Sequence, residues 1–259
     1  MYRENTLKKK MLGGGKALGC WSALNSALST EILAMAGFDF LLIDQEHGFG
    51  DPTQLAHQLQ AMSATPTTSV VRVPSKDPNY AKRVLDAGAE AIMFPSVNTA
   101  AEARALVKAC RYVPEGLRGM AQGMIRASNF GYNAADYVKT ANQNLLVICQ
   151  IETVEAVANI DELVAVEGVD MFFIGPNDLS ASNATHGQYE DPSFVKLMDT
   201  VERAVMASDK LLATIPYGPH SWQDNFDKGY NMTTAGADVV LLRTACAQIV
   251  DQHHAKNGQ

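Results

Sequence analysis

The run Leu145-Leu146-Val147-Ile148-Cys149-Gln150-Ile151-Glu152-Thr153 and, after one helical segment, Phe172-Phe173-Ile174-Gly175-Pro176-Asn177-Asp178-Leu179-Ser180 decide the fold. Each opens as a short, nearly unbroken series of Leu, Val, Ile and Phe, the composition of a strand buried on both faces. Each then stops at polar residues: Gln150 and Glu152 end the first, and a Gly-Pro turn followed by Asp178 ends the second. Buried strands joined through a helix run parallel, and their C-termini lie on one face. Glu152 and Asp178 are therefore expected to meet. Two carboxylates with open positions between them suit a hard divalent cation such as Mg²⁺ or Mn²⁺.

The same alternation extends outward in both directions. Strands are predicted at 17–24, 38–44, 68–74, 89–97, 145–152, 170–175, 211–216 and 232–242. Helices are predicted at 29–36, 53–64, 80–87, 100–109, 134–142, 154–166, 192–207 and 221–229. Repeated βα units without a strong linker across 259 residues point to a single (β/α)₈ barrel domain spanning 1–259. A doubly wound sheet is the competitor, but no G-x-G-x-x-G fingerprint occurs. Gly13-Gly14-Gly15-Lys16 is not a P-loop, since Lys10 holds the first glycine position and Ala17 replaces Ser or Thr. These glycines read as a flexible lead into the first strand. The long connection between Val97 and Leu145 is expected to be functional, on the catalytic side of the barrel.

Hydrophobic residues make up 47% of the chain and the formal net charge is −7, which argues against a nucleic-acid binder. No apolar run approaches the roughly 20 residues needed to cross a bilayer. The charged start of the chain lacks the apolar segment of a signal peptide, so a cytoplasmic location is expected. Cys20, Cys110, Cys149 and Cys246 are scattered, with no C-x-x-C pair to indicate zinc or redox chemistry.

Barrel active sites form at strand C-termini, so the polar residues there are the candidates. The second strand ends in Asp44-Gln45-Glu46-His47-Gly48, the third carries Arg72, and Gln150 and Glu152 share one face of the fifth. Each has a structural reading: Asp178 as a helix cap, His47 as a loop contact, Arg72 in a buried ion pair with Asp44 or Glu152. Together they place many polar groups at one mouth, which is costly unless they pair or bind something.

These segments resemble one family. Leu-Leu-Ile-Asp44-Gln-Glu-His47-Gly, Val-Arg72-Val-Pro, Leu85-Asp86-Ala-Gly88, Gly116-Leu-Arg118-Gly119, Gln150-Ile-Glu152-Thr and Ile-Gly175-Pro-Asn-Asp178-Leu-Ser, in this order over most of the chain, are similar to the HpcH/HpaI aldolases. The resemblance implies a (β/α)₈ barrel that uses a divalent metal (Mg²⁺, Mn²⁺ or Co²⁺) to cleave or form 4-hydroxy-2-oxo acids beside a pyruvate enolate. Oxaloacetate decarboxylation is implied as a side activity. Glu152 and Asp178 would ligate the metal, with Gln150 beside them. Arg72 would contact the 2-oxo oxygen, and His47 paired with Asp44 would be the acid/base group. The backbone around Gly175, Pro176, Asn177 and Asp178 would hold the carboxylate, and Asp86 would lie at the subunit-contact side of the site. A homohexamer, with the last helix exchanged between paired barrels, is also implied.

The partners expected are a small 2-oxo acid and an aldehyde. The alternatives are decarboxylation of oxaloacetate with addition to an unsaturated acceptor, as in macrophomate synthase, and a non-catalytic keto-acid-binding barrel. A Schiff-base aldolase would need a lysine inside the barrel, and no predicted strand interior carries one. Two segments depart from the family pattern: Asn183-Ala184-Thr185-His186-Gly187, and Thr214-Ile215-Pro216-Tyr217-Gly218-Pro219-His220. Ile215, Pro216 and Tyr217 are the expected wall of the aldehyde pocket.

Overall fold

A computed structural model describes residues 2–257 of the chain. Eight parallel strands, β1 (Ala17–Ser22), β2 (Phe40–Asp44), β3 (Thr68–Arg72), β4 (Ala91–Phe94), β5 (Leu146–Ile151), β6 (Met171–Ile174), β7 (Leu211–Thr214) and β8 (Met232–Ala237), close into a barrel in sequence order. The expected (β/α)₈ architecture is the observed one.

Strand periodicity divides the core into two layers. Phe40, Leu42, Val70, Met93, Leu146, Ile148, Met171 and Phe173 fill the barrel interior, while the intervening Leu41, Ile43, Val71, Ile92, Val147, Cys149, Phe172 and Ile174 pack under the helices. The inward phase, carried one step further along each strand, delivers Asp44, Arg72 and Gln150 to the C-terminal mouth. Gly19 is required by this packing, because a Cβ there would lie 2.4 Å from the Phe40 ring.

The opposite end is closed by a helix not foreseen from the charged N-terminal segment. Thr6–Leu12 is capped by the Asn5 side chain and inserts Leu7 and Met11 beneath the barrel interior. Three further expectations are corrected. The predicted helix 154–166 is two short helices, Val154–Ala158 and Ile160–Val164. The long connection lies at the N-terminal end of the barrel, not the catalytic end. It leaves the C-terminus of helix Ala100–Cys110 and enters β5, and Arg126 within it donates to the carbonyls of Leu59 and Ala87 at other helix C-terminal ends. A loop running from a helix end to a strand start can lie only there.

The last strand ends at Ala237, not at residue 242. Asp238 accepts hydrogen bonds from the amides of Ala23 and Leu24 and begins the helix Asp238–Asn257. Every residue from 239 to 256 is exposed, including Val239, Val240, Leu241 and Leu242. Helix Ala27–Met35 likewise exposes Leu28, Ile32 and Met35. No helix among the described residues is long and apolar enough to cross a membrane.

Candidate active site at the C-terminal mouth

The mouth encloses a cavity of about 330 Å³. Asp44, His47, Arg72, Gln150, Asn177 and Asp178 form its polar wall, and Trp21, Phe173 and Ile215 its apolar wall.

Asp44 and Arg72 are register partners on adjacent strands, so their side chains meet at the same height. Arg72 donates from Nε to Asp44 Oδ1 at 2.9 Å and from Nη2 to Oδ2 at 2.8 Å. Its Nη1 lies 3.1 Å from Glu46 Oε2, and the guanidinium sits 4.4 Å over the Trp21 ring. Both members of the Arg72–Asp44 fork are buried. Such a bidentate pair fixes the plane of the guanidinium as well as its charge.

Pairing of the His47 imidazole with Asp44 does not occur in this arrangement. The Asp44 carboxylate is engaged by Arg72 and by the backbone amides of Glu46 and His47, at 3.0 and 3.3 Å. The imidazole is exposed at the rim and makes no hydrogen bond among the described residues. The structural reading of Arg72 as one half of a buried pair with Asp44 is correct for its inner face.

Glu152 is buried just past β5, and its Oε1 accepts from both the amide and the hydroxyl of Ser96 at 2.7 Å. Ser96 adopts a left-handed φ of 50°, an uncommon conformation for a non-glycine residue that aims both donors at one oxygen. Oε2 has no hydrogen bond among the described residues. Gln150 Oε1 is buried and also lacks a partner. Burial pushes the Glu152 carboxyl above its usual range; the Ser96 hydrogen bonds oppose this, while Asp178 and Glu46 reinforce it. Burial likewise raises the Glu46 carboxyl, against the pull of Arg72.

Asp178 is not a cap. Gly175 is the N-cap of helix Pro176–Ser182, and Asp178 stands in its first turn. Gly175 lets the backbone pass close to both side chains: a Cβ there would come within 2.7 Å of Glu152 Oε2 and 2.9 Å of Gln150 Nε2 and would displace them. Among the described residues no three carboxylate, imidazole or thiol side chains are placed to hold an ion together. The mutual repulsion of Glu152, Asp178 and Glu46, the unengaged Glu152 oxygen and the orphaned Gln150 oxygen nevertheless fit a hard cation held by two carboxylates, its other positions left to water and substrate.

Two sequence candidates lie elsewhere. Asp86 is near the C-terminal end of helix Pro78–Ala87, where it pairs with Arg118 at 2.7 Å, remote from the mouth of its own chain. Tyr217 is buried in the outer layer, its ring 5.5 Å from Tyr189 and 6.0 Å from Phe194, so of the Ile215–Tyr217 segment only Ile215 lines the cavity. Trp21, Glu46 and Ser96 were not assigned roles from sequence. Counting by twos from Ala17 would have found Trp21, but nothing local marks Ser96.

Residues 17–245 match the family model described as HpcH/HpaI aldolase/citrate lyase. The chain is 37% identical over 247 residues to the hydroxypyruvate/pyruvate aldolase of Roseovarius nubinhibens, covering 94% of this chain and 95% of that protein. It is 35% identical over 250 residues to the 5-keto-4-deoxy-D-glucarate aldolase of Shigella boydii, covering 95% of each. The crystal structure of an HpcH/HpaI aldolase/citrate lyase family protein from Burkholderia cenocepacia superimposes with a TM-score of 0.92 at 36% identity, over 96% of this chain and 99% of that one.

Proposed function

The chain belongs to the HpcH/HpaI aldolase/citrate lyase family and is a carbon–carbon lyase, and from that premise we propose that it cleaves or forms 4-hydroxy-2-oxo acids through a pyruvate enolate. The observation that carries this reading is the buried Arg72–Asp44 fork facing the same cavity as Asp178, with the Glu152 carboxylate packed against Gly175 of its wall. It supplies a fixed cation beside a site suited to a second, mobile one.

Glu152 and Asp178 would hold the divalent cation. When bound, Mg²⁺, Mn²⁺ or Co²⁺ would supply Lewis-acid stabilisation of charge on the keto and carboxylate oxygens of a 2-oxo acid. The remaining work falls to the chain. Arg72, immobilised by Asp44, directs its outward N–H toward the 2-oxo oxygen, where negative charge grows in the transition state. Because the fork is set before substrate arrives, little reorganisation accompanies that change. The amides of Asn177 and Asp178, in the first helical turn, have no intrahelical acceptor and would receive the substrate carboxylate. His47 at the rim would take the proton from the C4 hydroxyl in cleavage, acting without Asp44 as its side-chain partner. Decarboxylation of oxaloacetate would draw on the same enolate-stabilising groups.

The same proposal includes a homo-oligomer, with helix Asp238–Asn257 seated on a neighbouring barrel in a trimer of dimers. Its exposed apolar residues, and those of helix Ala27–Met35, support this. A monodisperse species of 28.0 kDa by light scattering would refute it. The chemistry is tested by a pyruvate-release screen over 4-hydroxy-2-oxo acids with each of the three metals. No release from any member, in the presence of any metal, would overturn the aldolase reading.

A further inference from the structure

The two segments that depart from the family pattern, Asn183–Gly187 and the β7 exit, flank one side chain, Tyr189. The Ser180 carbonyl accepts from the amides of Thr185 and His186, and the Ser180 hydroxyl accepts from Gly187 N at 2.9 Å. These bonds fold the first segment back over helix Pro176–Ser182. From the other side, Gly218 lies so close that a Cβ there would meet the Tyr189 ring at 3.1 Å. The rings of Tyr217 and Phe194, each 5.5 Å away, complete the seat. Held in this way, the Tyr189 hydroxyl donates to Asn177 Oδ1 at 2.5 Å.

Asn177 lines the cavity. Its carboxamide oxygen is occupied by Tyr189, and the carboxamide makes no other hydrogen bond among the described residues. What it has left to offer the cavity is the NH₂ group, two donors and no acceptor. The neighbouring wall formed by Trp21, Ile215 and Ala237 is mostly apolar. A donor on such a wall recognises an oxygen substituent and gains nothing from an alkyl chain.

We infer that Tyr189 is a positioning residue that turns the Asn177 carboxamide so that its NH₂ selects aldehydes carrying an oxygen next to the carbonyl. This rests on the aldolase reading above and adds the class of aldehyde. It also moves the specificity determinant from Tyr217 itself to the residue that Tyr217 buttresses. Asn177 is open to the cavity rather than buried, so it is the bound aldehyde that takes its NH₂ out of water; an analogue lacking the oxygen then leaves that donor unpaired.

The test is aldol addition of pyruvate to glycolaldehyde and to propanal, with kcat and KM determined for each on the metal-loaded wild type, Tyr189→Phe, Asn177→Ala and the double variant. The wild type should prefer glycolaldehyde, and Tyr189→Phe should lower that preference by about fivefold or more, chiefly through the KM for glycolaldehyde. The double variant should lose no more selectivity than Asn177→Ala alone, since both changes act through one carboxamide. Equal losses toward both aldehydes in Tyr189→Phe would reduce Tyr189 to a structural role and overturn the inference. So would selectivity losses that multiply in the double variant, or a wild type indifferent to the two aldehydes. A wild type that adds pyruvate to neither aldehyde and cleaves no 4-hydroxy-2-oxo acid defeats the aldolase reading itself, and this one with it.

Discussion

Arg72→Lys separates geometry from charge at the mouth of the barrel. The native guanidinium engages Asp44 through two nitrogens at 2.9 and 2.8 Å, approaches Glu46 through a third at 3.1 Å, and lies 4.4 Å over Trp21. A lysine keeps the charge but has one nitrogen, so it can meet Asp44 at one oxygen and cannot present a flat face to the indole. One lost charge-assisted hydrogen bond costs about 1.5–3 kcal/mol, and the lost stacking about 0.5–2 kcal/mol. The retained ammonium keeps the total below the roughly 3–5 kcal/mol expected when a buried charge loses its partner altogether. A destabilisation of about 2–4 kcal/mol should appear as a lower urea midpoint at unchanged slope. The chemical step should suffer separately. Nη1 is the nitrogen not held by Asp44, and removing one positioned donor from a developing oxyanion costs about 10²–10³ in kcat. Pyruvate formation from oxaloacetate, followed at saturating substrate and metal, reads that loss directly. If kcat stays within about threefold while KM alone rises, Arg72 only binds the ground state and the preorganisation argument fails.

His47→Ala should reduce aldol cleavage by about 10²-fold while reducing oxaloacetate decarboxylation only a few-fold, because only cleavage requires a hydroxyl proton to be removed; parallel losses in the two assays would show that the imidazole is not the base. Chelation with EDTA should abolish activity and re-addition of Mn²⁺ should restore it, whereas Glu152→Ala should show no Mn²⁺ binding by calorimetry; full activity in chelated enzyme would remove the metal from the proposal. Burial pushes the Cys110 thiol from 9.0 up to about 12. A group with a raised folded-state pKa contributes stability that is fully present below its unfolded value and is lost as pH rises toward its folded one. The urea midpoint should therefore fall between pH 9.0 and about 12, less steeply in Cys110→Ala, and identical slopes in the two proteins would contradict this.

The readable part of the fold was local. Strand interiors of Leu, Val, Ile and Phe, interrupted by helical segments, were enough to count eight βα units, and position at strand C-terminal ends put Asp44, Arg72 and Gln150 at one mouth. The errors fell where local pattern is ambiguous. The apolar stretch from Val239 to Leu242 reads equally as strand or helix, and the choice is made by Asp238, whose carboxylate is tied to the amides of Ala23 and Leu24 more than two hundred residues away in sequence. Helix Thr6–Leu12 was hidden by its lysines, since only Leu7 and Met11 enter the core.

The sequence by itself determined which strand residues can point into the mouth, because inward and outward positions follow from the two-residue repeat of each strand. Only the tertiary structure decided what those side chains do to one another. Register between β2 and β3 gave Asp44 to Arg72 and left the His47 imidazole without it. Pairing of β4 with β5 brought Ser96, in a left-handed turn, to Glu152. The packing of Tyr217 and Phe194 around Tyr189 turned Asn177 toward the cavity from a distance no periodicity records. The physical reason is range: side-chain direction is a property of neighbouring peptide units, whereas pairing depends on how strands and loops far apart in the chain are brought together when the sheet closes.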